Sequence, residues 1–520
     1  MNSSVLEKDV PQKGHPKGLY VLFATEMWER FNYYGMRAIL ILFMTKALFF
    51  SDAFSSNLYG SYTGLVYLTP LIGGYVADRY WGNKRSIIVG GLLMAIGEFI
   101  LFFCGSLYDG SGTVSSLTTL LFFSGLGFMI TGNGFFKPNI SSLVGQLYPK
   151  GDRRIDAAYT IFYMGINVGG ALGPFICGLV GDTGNPADFK WAFLAGGIGM
   201  LISVVIQKIY QDKYVVTHDG APLGNVPEAI QKAEATGKKS PWLNPVVTVI
   251  GLLVLTAAFI GMLYVDANVF GYLSYLMLGA VLFIAFVIFT DKTLSAAEKT
   301  RVAVIFIVSF FVVFFWSAFE QAGASLNLFA DRQTNRDLGF FTVPASWFQS
   351  LNSIFVILFA PVFAWLWLKL GRREPAAPTK MAIGLGLLAL GYLWISNGVK
   401  DVALTQKVSM IWLVGMYALH TWGELCLSPI GLSLVNKLAP LKFASLLMAV
   451  WFLANAVANK LAGVLSALAP TEGKPSSFLG YEMTNLYDFF MLFVGMAGVA
   501  AIILFLLTKQ LQKMMNARTA

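Results

Sequence analysis

Runs of about 20 apolar residues recur throughout this chain of 520 residues. A helix of that length crosses the hydrocarbon core of a bilayer, which is about 30 Å thick. Because lipid offers no hydrogen-bond partners, such a chain satisfies its backbone groups internally, as helices. We identify fourteen runs, at 19–48, 56–78, 86–107, 115–147, 156–181, 190–210, 243–265, 269–290, 302–330, 345–369, 380–397, 408–436, 443–468 and 483–508. The sequence therefore predicts an all-α integral membrane protein.

The charge content excludes several other classes of protein. Charged residues make up 12% of the chain, whereas soluble domains carry about 25%. A net charge of +9 is common among proteins that bind nucleic acid, but here the basic residues are dispersed and no polar stretch is long enough for a nucleic-acid-binding domain. The three cysteines have no spacing typical of a metal site. We expect the lipid bilayer as a partner, and no nucleic acid, metal or cofactor.

The distribution of basic residues predicts the orientation in the membrane. If all fourteen runs cross the bilayer, most of the 37 Lys and Arg residues lie on the side of the N-terminus. The positive-inside rule then places both termini in the cytoplasm. The first apolar run is too long and too charged for a cleavable signal peptide. We therefore expect a multi-pass protein that keeps its first helix.

The first run carries four charged side chains at membrane depth. Each uncompensated charge there costs roughly 2.5 kcal/mol or more, so such residues usually face a protein interior or an aqueous path. On a helix these four residues and Tyr33 form one polar stripe, made of Glu26, Glu29, Arg30, Tyr33 and Arg37. A structural ion pair between two helices is the alternative, but the stripe has more polar groups than one link requires. The stripe indicates an ion or substrate path.

A repeated pattern divides the chain into two similar halves. The segments 138–149 and 429–440 share the pattern P-x-x-x-S-L-V-x-x-L-x-P and lie 291 residues apart. The same offset carries Glu29 onto Glu320 and Pro70 onto Pro361. These matches favour two six-helix units of the same orientation. The predicted domains are a bundle at 1–210, a cytoplasmic linker at 211–242, an inserted transmembrane hairpin at 243–298 and a second bundle at 299–520.

Parallel six-helix halves are the layout of the major facilitator superfamily, in which the substrate binds near mid-membrane between the halves. The segment 74–85 between the second and third runs resembles the superfamily's G-x-x-x-D-R-x-G-[KR]-[KR] loop, with one residue inserted before Gly82. The resemblance implies the fold of that superfamily, with two six-helix bundles and an additional hairpin. No G-x-x-x-x-G-K-[ST] motif occurs, so we expect an ion gradient instead of ATP as the driving force.

Three motifs are more specific. The segment 26–35 matches the E-x-x-E-R-F-x-Y-Y-G signature of the proton-coupled oligopeptide transporter family. The segment 162–170 resembles its F-Y-x-x-I-N-x-G-S signature, with Gly170 in place of Ser, and 134–139 resembles its fourth-helix segment. Bacterial members of this family have fourteen helices. The resemblance implies a symporter, not an enzyme, that imports dipeptides and tripeptides with protons by alternating access across the bacterial inner membrane, functioning as a monomer.

The resemblance also implies roles for individual residues. The proton-coupling residues would be Glu26, Glu29, Arg30, Lys137 and Glu320. Arg37 and Lys137 would hold the peptide carboxylate, Glu424 would hold the ammonium, and the amides of Asn167 and Asn352 would add hydrogen bonds. The aromatic walls of the substrate site would be Tyr33, Tyr34, Tyr67, Trp316 and Trp451. In this hypothesis, protonation of Glu320 frees Arg37, while Lys137 joins Glu26, Glu29 and Arg30 in a second group.

Other polar residues within the runs have weaker assignments. Glu98 and Lys460 either pair with another residue or face a cavity. His420 lies one turn before Glu424, where a packing histidine with a hydrogen bond is expected.

Three other functions stay open at this stage. Relatives on the same scaffold carry nitrate or another small anionic or zwitterionic metabolite. A channel is also conceivable, and intramembrane carboxylates can in principle serve a hydrolase. No H-E-x-x-H or G-x-S-x-G motif occurs, which disfavours the hydrolase.

Overall fold

Long helices dominate the computed structural model, which describes residues 14–149, 151–217, 219–235, 243–268, 271–471 and 474–517. The helices of the first half are α1 (Lys17–Lys46), α2 (Asp52–Leu68), α3 (Pro70–Val76), α4 (Gly82–Ser106), α5 (Ser116–Gln146), α6 (Ile155–Gly181) and α7 (Phe189–Tyr214). Next come α8 (Glu228–Ala235), α9 (Pro245–Asn268) and α10 (Tyr272–Thr290). The second half contains α11 (Ala296–Phe319), α12 (Ser325–Arg332), α13 (Phe348–Leu370), α14 (Ala377–Gly398), α15 (Ile411–Leu438), α16 (Ala444–Ser466) and α17 (Leu486–Met515).

Each of the fourteen predicted apolar runs overlaps one of these helices or an adjacent pair. Eleven segments of the described residues are helical, long and apolar enough to cross a membrane, and one of them, Asp52–Ser106, overlaps both the second and the third predicted runs. Helices α1 and α15 are not among the eleven, and both carry charged residues predicted for the site. The division into domains stays a prediction, although α7 extends to Tyr214 and α11 begins at Ala296.

The two halves pack against each other in a symmetric way. Helix α2, the second span of the first half, packs against α16, the fifth span of the second half. Helix α6, the fifth span of the first half, packs in turn against α13, the second span of the second half. This reciprocal arrangement is expected for two repeats of the same orientation related by a pseudo-twofold axis.

Glycines bring α2 and α16 into backbone contact. A Cβ atom at Gly60 would lie 2.8 Å from the Cα atom of Gly463, and a Cβ atom at Gly463 would lie 2.5 Å from the carbonyl oxygen of Ser56. Small residues allow such close approach between membrane helices, where packing replaces the hydrophobic effect as the main attraction. The two halves are therefore in direct backbone contact at this crossing.

The face away from the linker is closed by ion pairs between the halves. Lys46, at the end of α1, lies 2.6 Å from Asp331 of α12. Arg332 pairs with Asp52 at the start of α2. Within the part of the chain that the structure describes, the ion pairs that join the two halves all involve α1 or α2 and the segment 320–332. The structure therefore has the face away from the linker closed.

Helices α9 and α10 form the inserted hairpin at the periphery of the molecule. Helix α9 packs on α5 and α2 of the first half, and α10 packs on α16 of the second half. Most of the hairpin surface is exposed in the isolated chain, as expected for lipid-facing helices. Two short strand pairs, Thr334–Asn335 with Val408–Ser409 and Ser476–Phe478 with Tyr481–Met483, lie between helices of the second half.

Candidate functional site

The polar stripe of α1 forms a buried ion cluster. The Nε atom of Arg30 lies 2.9 Å from Oε1 of Glu26 and 2.6 Å from Oε2 of Glu29. Asn133 of α5 donates a hydrogen bond of 3.2 Å to Oε1 of Glu29. All three charged side chains are at most 2% exposed. Two carboxylates therefore share one guanidinium in a place that bulk water does not reach.

Two glycines of α6, one at the end of the second motif and one just after it, explain how α1 packs against α6. A Cβ atom at Gly169 of α6 would collide with the carbonyl oxygen of Met27 and would lie 2.8 Å from the Cβ atom of Arg30. One turn further along, a Cβ atom at Gly173 would lie 2.8 Å from the backbone nitrogen of Gly35. The glycine spacing of α6 therefore lets its backbone pack directly on the charged segment of α1.

Lys137 lies beside an aromatic ring instead of a carboxylate. Its Nζ atom is 4.5 Å from the ring centroid of Tyr67, a cation–π contact. Among the described residues, no carboxylate oxygen lies within 4.0 Å of this ammonium group. The structure therefore does not bring Lys137 into direct contact with Glu26 or Glu29, and within the described residues its charge has no ion-pair partner.

A second buried ion pair joins the two halves. The Nη1 atom of Arg37 in α1 lies 2.9 Å from Oε2 of Glu320, and the two residues are 6% and 3% exposed. Glu320 begins the 3₁₀ turn Glu320–Gly323, which interrupts the span between α11 and α12. The ring of Tyr34 lies 5.6 Å from the guanidinium carbon of Arg37. The guanidinium is thus held between an anion and an aromatic face.

Glu424 of α15 is held by neutral groups. Asn352 of α13 donates a hydrogen bond of 2.8 Å to Oε2 of Glu424 and lies 3.2 Å from the hydroxyl of Thr421. No cation lies within 4.0 Å of Glu424 among the residues that the structure describes. A buried carboxylate with only an amide partner is suited to bind a cationic group, because the ligand supplies the charge that the protein lacks.

The remaining predicted residues have local partners. Asn167 donates its amide to the carbonyl oxygen of Tyr163, one turn earlier in α6. Tyr33 is buried with its ring 5.3 Å from that of Tyr34. Trp316 packs edge-on against Phe319, with ring centroids 5.1 Å apart. Trp451 is buried, and its ring occupies the space beside Gly431.

Two buried polar contacts lie outside the predicted site. Nζ of Lys460 in α16 lies 2.6 Å from Oδ2 of Asp266 in α9 and 2.8 Å from the hydroxyl of Ser61 in α2. Asp266 also accepts a hydrogen bond of 3.0 Å from the backbone nitrogen of Leu273 in α10. This group ties the hairpin to both halves. The sequence contained a signal for this contact, because Asp266 at the end of the seventh predicted span and Lys460 within the thirteenth are both charged residues.

The other contact concerns Glu98 of α4. Its Oε1 atom accepts a hydrogen bond of 2.8 Å from Asn32, a residue of the first motif, and the side chain is fully buried. His420, also buried, packs its ring 4.8 Å from that of Tyr392, as expected for a packing residue.

Known proteins resemble this chain over nearly its whole length. The transporter YclF of Bacillus subtilis (strain 168), itself uncharacterized, is 37% identical over 481 residues, which are 90% of this chain and 91% of YclF. The peptide transporter YePEPT of Yersinia enterocolitica is 35% identical over 474 residues, which are 87% of this chain and 88% of that protein. A crystal structure of a mutant of the peptide transporter POT with alafosfalin has a TM-score of 0.79 and 32% identity, and the match covers 98% of both chains.

A family model described as the POT family matches residues 84–475. Together with the structural match, it confirms the predicted fold class, an all-α membrane protein of the major facilitator fold with two six-helix bundles and an inserted hairpin. The match lies across both halves and the hairpin, so it does not depend on the first-helix motif, which precedes it. The chain belongs to the POT family, the proton-coupled oligopeptide transporters.

Proposed function

We propose that the protein is a proton-coupled symporter that imports dipeptides and tripeptides by alternating access. The observation that carries this proposal is the buried ion pair of Arg37 and Glu320, which links the first spans of the two halves. The relative named as a peptide transporter, and the peptide transporter solved with alafosfalin, favour peptides over nitrate or another metabolite as the substrate.

Recognition of a peptide begins with its two charged ends, because these are common to all peptides. Arg37 and Lys137 bind the carboxylate, the first as a planar fork and the second as a point charge. The unpaired charge of Lys137 supports this role, since an anionic ligand supplies its missing partner. Glu424 binds the peptide ammonium. Asn352 holds the side-chain carboxylate of Glu424 in place through its hydrogen bond.

Other residues line the space between the groups that bind the two ends of the peptide. Asn167 adds a hydrogen bond to the peptide by exchanging its contact with the backbone of α6. Aromatic rings give large apolar contact with a polar edge, which tolerates different side chains. The proposed walls are Tyr33, Tyr34, Tyr67, Trp316 and Trp451.

The ion pair couples the peptide to the proton. Protonation of Glu320 leaves the buried guanidinium of Arg37 without an anion, and breaking such a pair costs roughly 3–5 kcal/mol. The carboxylate of a peptide replaces the lost anion and removes this cost. The proton and the peptide therefore promote each other's binding, as linkage requires.

The cluster on α1 provides a second place for a proton. Glu26 and Glu29 share Arg30, so one buried negative charge is in excess. A proton neutralises that excess negative charge. The positive charge of Lys137, on α5, also acts on the carboxylates of Glu26 and Glu29. Because Lys137 also binds the peptide carboxylate, it connects this cluster to the substrate.

The proposal includes the cellular arrangement. Both termini lie in the cytoplasm, and the protein functions as a monomer in the bacterial inner membrane. The closed face away from the linker is then the outer face, so this conformation is closed to the outside. The moving units are the bundles 1–210 and 299–520, joined by the linker 211–242 and the hairpin 243–298.

Proteoliposome uptake tests the proposal. Purified protein is reconstituted with an inward proton gradient, and accumulation of labelled dialanine and trialanine is followed with and without a protonophore. We expect accumulation above equilibrium that the protonophore abolishes, competition by unlabelled peptide but not by nitrate, and recovery of intact peptide. Equilibration without accumulation would indicate a channel, cleaved peptide would indicate a hydrolase, and inhibition by nitrate alone would indicate an anion carrier; each overturns the proposal.

A further inference from the structure

An apolar groove separates the hairpin from the first half of the molecule. It has a volume of about 350 Å³ and lies between one wall from α3 and α5, with Ile72, Val76 and Phe135, and another from α9. The α9 wall extends from Val247 to Ala258. At a rise of 1.5 Å per residue this is roughly 16 Å, about half the thickness of the hydrocarbon core. The groove therefore matches the depth of one bilayer leaflet.

A basic pocket adjoins the groove on the linker face. It is lined by Lys84, Arg85 and Lys208 together with Gly224 of the linker. Trp81 lines both cavities. Arg85 also connects them, because its Nη2 atom donates a hydrogen bond of 2.8 Å to the hydroxyl of Thr248, which lies in the groove wall.

The charges of the pocket do not cancel. Asp212 neutralises Lys84, whose Nζ atom lies 2.5 Å from one of its carboxylate oxygens. Lys208 is exposed and has neither an ion pair nor a hydrogen bond to any residue in the described ranges. Arg85 keeps its charge beside the ring of Trp81, 5.1 Å from the ring centroid. Two positive charges therefore face the mouth of an apolar groove.

We propose that this composite cavity binds one anionic phospholipid. Its phosphate group lies between Arg85 and Lys208, and one acyl chain fills the groove between the first half and α9. An apolar groove at membrane depth excludes water and is filled by hydrocarbon, while basic pockets at the membrane surface attract anionic headgroups. The lipid then acts as packing between the hairpin and the first half, which accounts for a groove that protein side chains leave open.

Two variants test the groove and the pocket separately. A Cβ atom at Gly251 meets nothing within 4 Å, so the side chain of Gly251→Leu begins in open space at the wall of the groove. Gly261→Leu is the matched control, because Gly261 lies on the same helix, is equally open and does not line the groove. Lys208→Gln removes one charge of the pocket, with Lys509→Gln on α17 as its control.

Native mass spectrometry of the full chain measures binding. The detergent-purified protein is titrated with phosphatidylglycerol, with phosphatidylcholine of the same acyl chains, and with inorganic phosphate. We expect one tightly retained phosphatidylglycerol, a loss of affinity of about fivefold in Lys208→Gln, and loss of the retained lipid in Gly251→Leu. Both controls should behave as wild type. Equal retention of phosphatidylcholine, binding of phosphate that Gly251→Leu leaves unchanged, or unaltered lipid retention in both test variants would overturn the proposal.

Discussion

The Nη1 atom of Arg37 lies 2.9 Å from Oε2 of Glu320, and neither residue is more than 6% exposed. The pair is the buried member of the ion pairs that close the face away from the linker, since the contacts of Lys46 and Arg332 lie nearer the surface. Exposed ion pairs contribute about 0–1 kcal/mol each. Among the three ion pairs between the halves, breaking the buried pair of Arg37 and Glu320 is therefore the most costly, because it leaves a charge without a partner away from water.

Replacing Glu320 by Gln should uncouple transport from the proton gradient. The amide cannot exchange a proton, so Arg37 stays available to a peptide at every pH. We expect Glu320→Gln to lose accumulation driven by a pH gradient and to retain peptide exchange between the two sides of the vesicle. Glu482→Gln, at an exposed carboxylate of the strand Tyr481–Met483, is the control. Wild-type accumulation by Glu320→Gln would remove Glu320 from the coupling mechanism.

Glu424 should determine recognition of the peptide amino terminus. Hydrogen bonds to charged groups contribute about 1.5–3 kcal/mol, which corresponds to roughly tenfold or more in binding. We expect Glu424→Gln to raise the KM for dialanine by that factor, while inhibition by N-acetylated dialanine, which has no ammonium group, changes little. Competition uptake with the two compounds gives both values. An equal loss for both compounds would show that Glu424 supports the structure and does not read the ammonium.

The group of Lys460, Asp266 and Ser61 should stabilise the fold as a unit. Lys460→Met leaves the buried carboxylate of Asp266 without a cation, at a cost of roughly 3–5 kcal/mol, whereas replacing both charged residues by apolar ones is often neutral. We therefore expect Lys460→Met to unfold at lower temperature in detergent, and the double variant Lys460→Met, Asp266→Leu to recover most of the loss. A double variant no more stable than the single one would contradict this coupling.

Gly463 should control closure of the outer face. A side chain at this position meets the backbone of Ser56 and Gly60, so α2 and α16 cannot approach as they do here. We expect Gly463→Leu to fold but to lose uptake. Gly495→Leu on α17, where a Cβ atom meets nothing within 4 Å, should transport normally. Normal uptake by Gly463→Leu would show that the backbone contact is dispensable.

Much of the fold follows from the sequence because the bilayer limits the possible structures. Hydrocarbon thickness determines the length of each span, and lipid excludes any backbone that is not hydrogen-bonded internally. The apolar runs therefore predict helices and their order well. They do not predict where a span is interrupted, as at the turn Glu320–Gly323, because that break depends on partners in other helices.

The sequence predicts which residue types form the site better than it predicts which side chains contact one another. Charges on α1 stand out against apolar neighbours, and the offset between the halves points to Glu320. Pairing is a property of the packed helices, however. Lys137 lies over Tyr67 instead of beside a carboxylate, and Lys460 finds its partner in the hairpin, 194 residues away in sequence. The functional roles of these residues stay predictions until the variants are measured.

The attachment of Asp266 to both halves has a consequence for biogenesis. Its hydroxyl partner, Ser61, precedes it in the chain, but its cation, Lys460, is synthesised 194 residues later. At a translation rate of about 5–20 residues per second, the acid waits roughly 10–40 s for that lysine. During this interval α9 packs on α5 and α2, while Asp266 has only the hydroxyl of Ser61 and the backbone nitrogen of Leu273 among the partners described above. Insertion of α16 therefore supplies the missing cation of Asp266 and joins the hairpin to the second half.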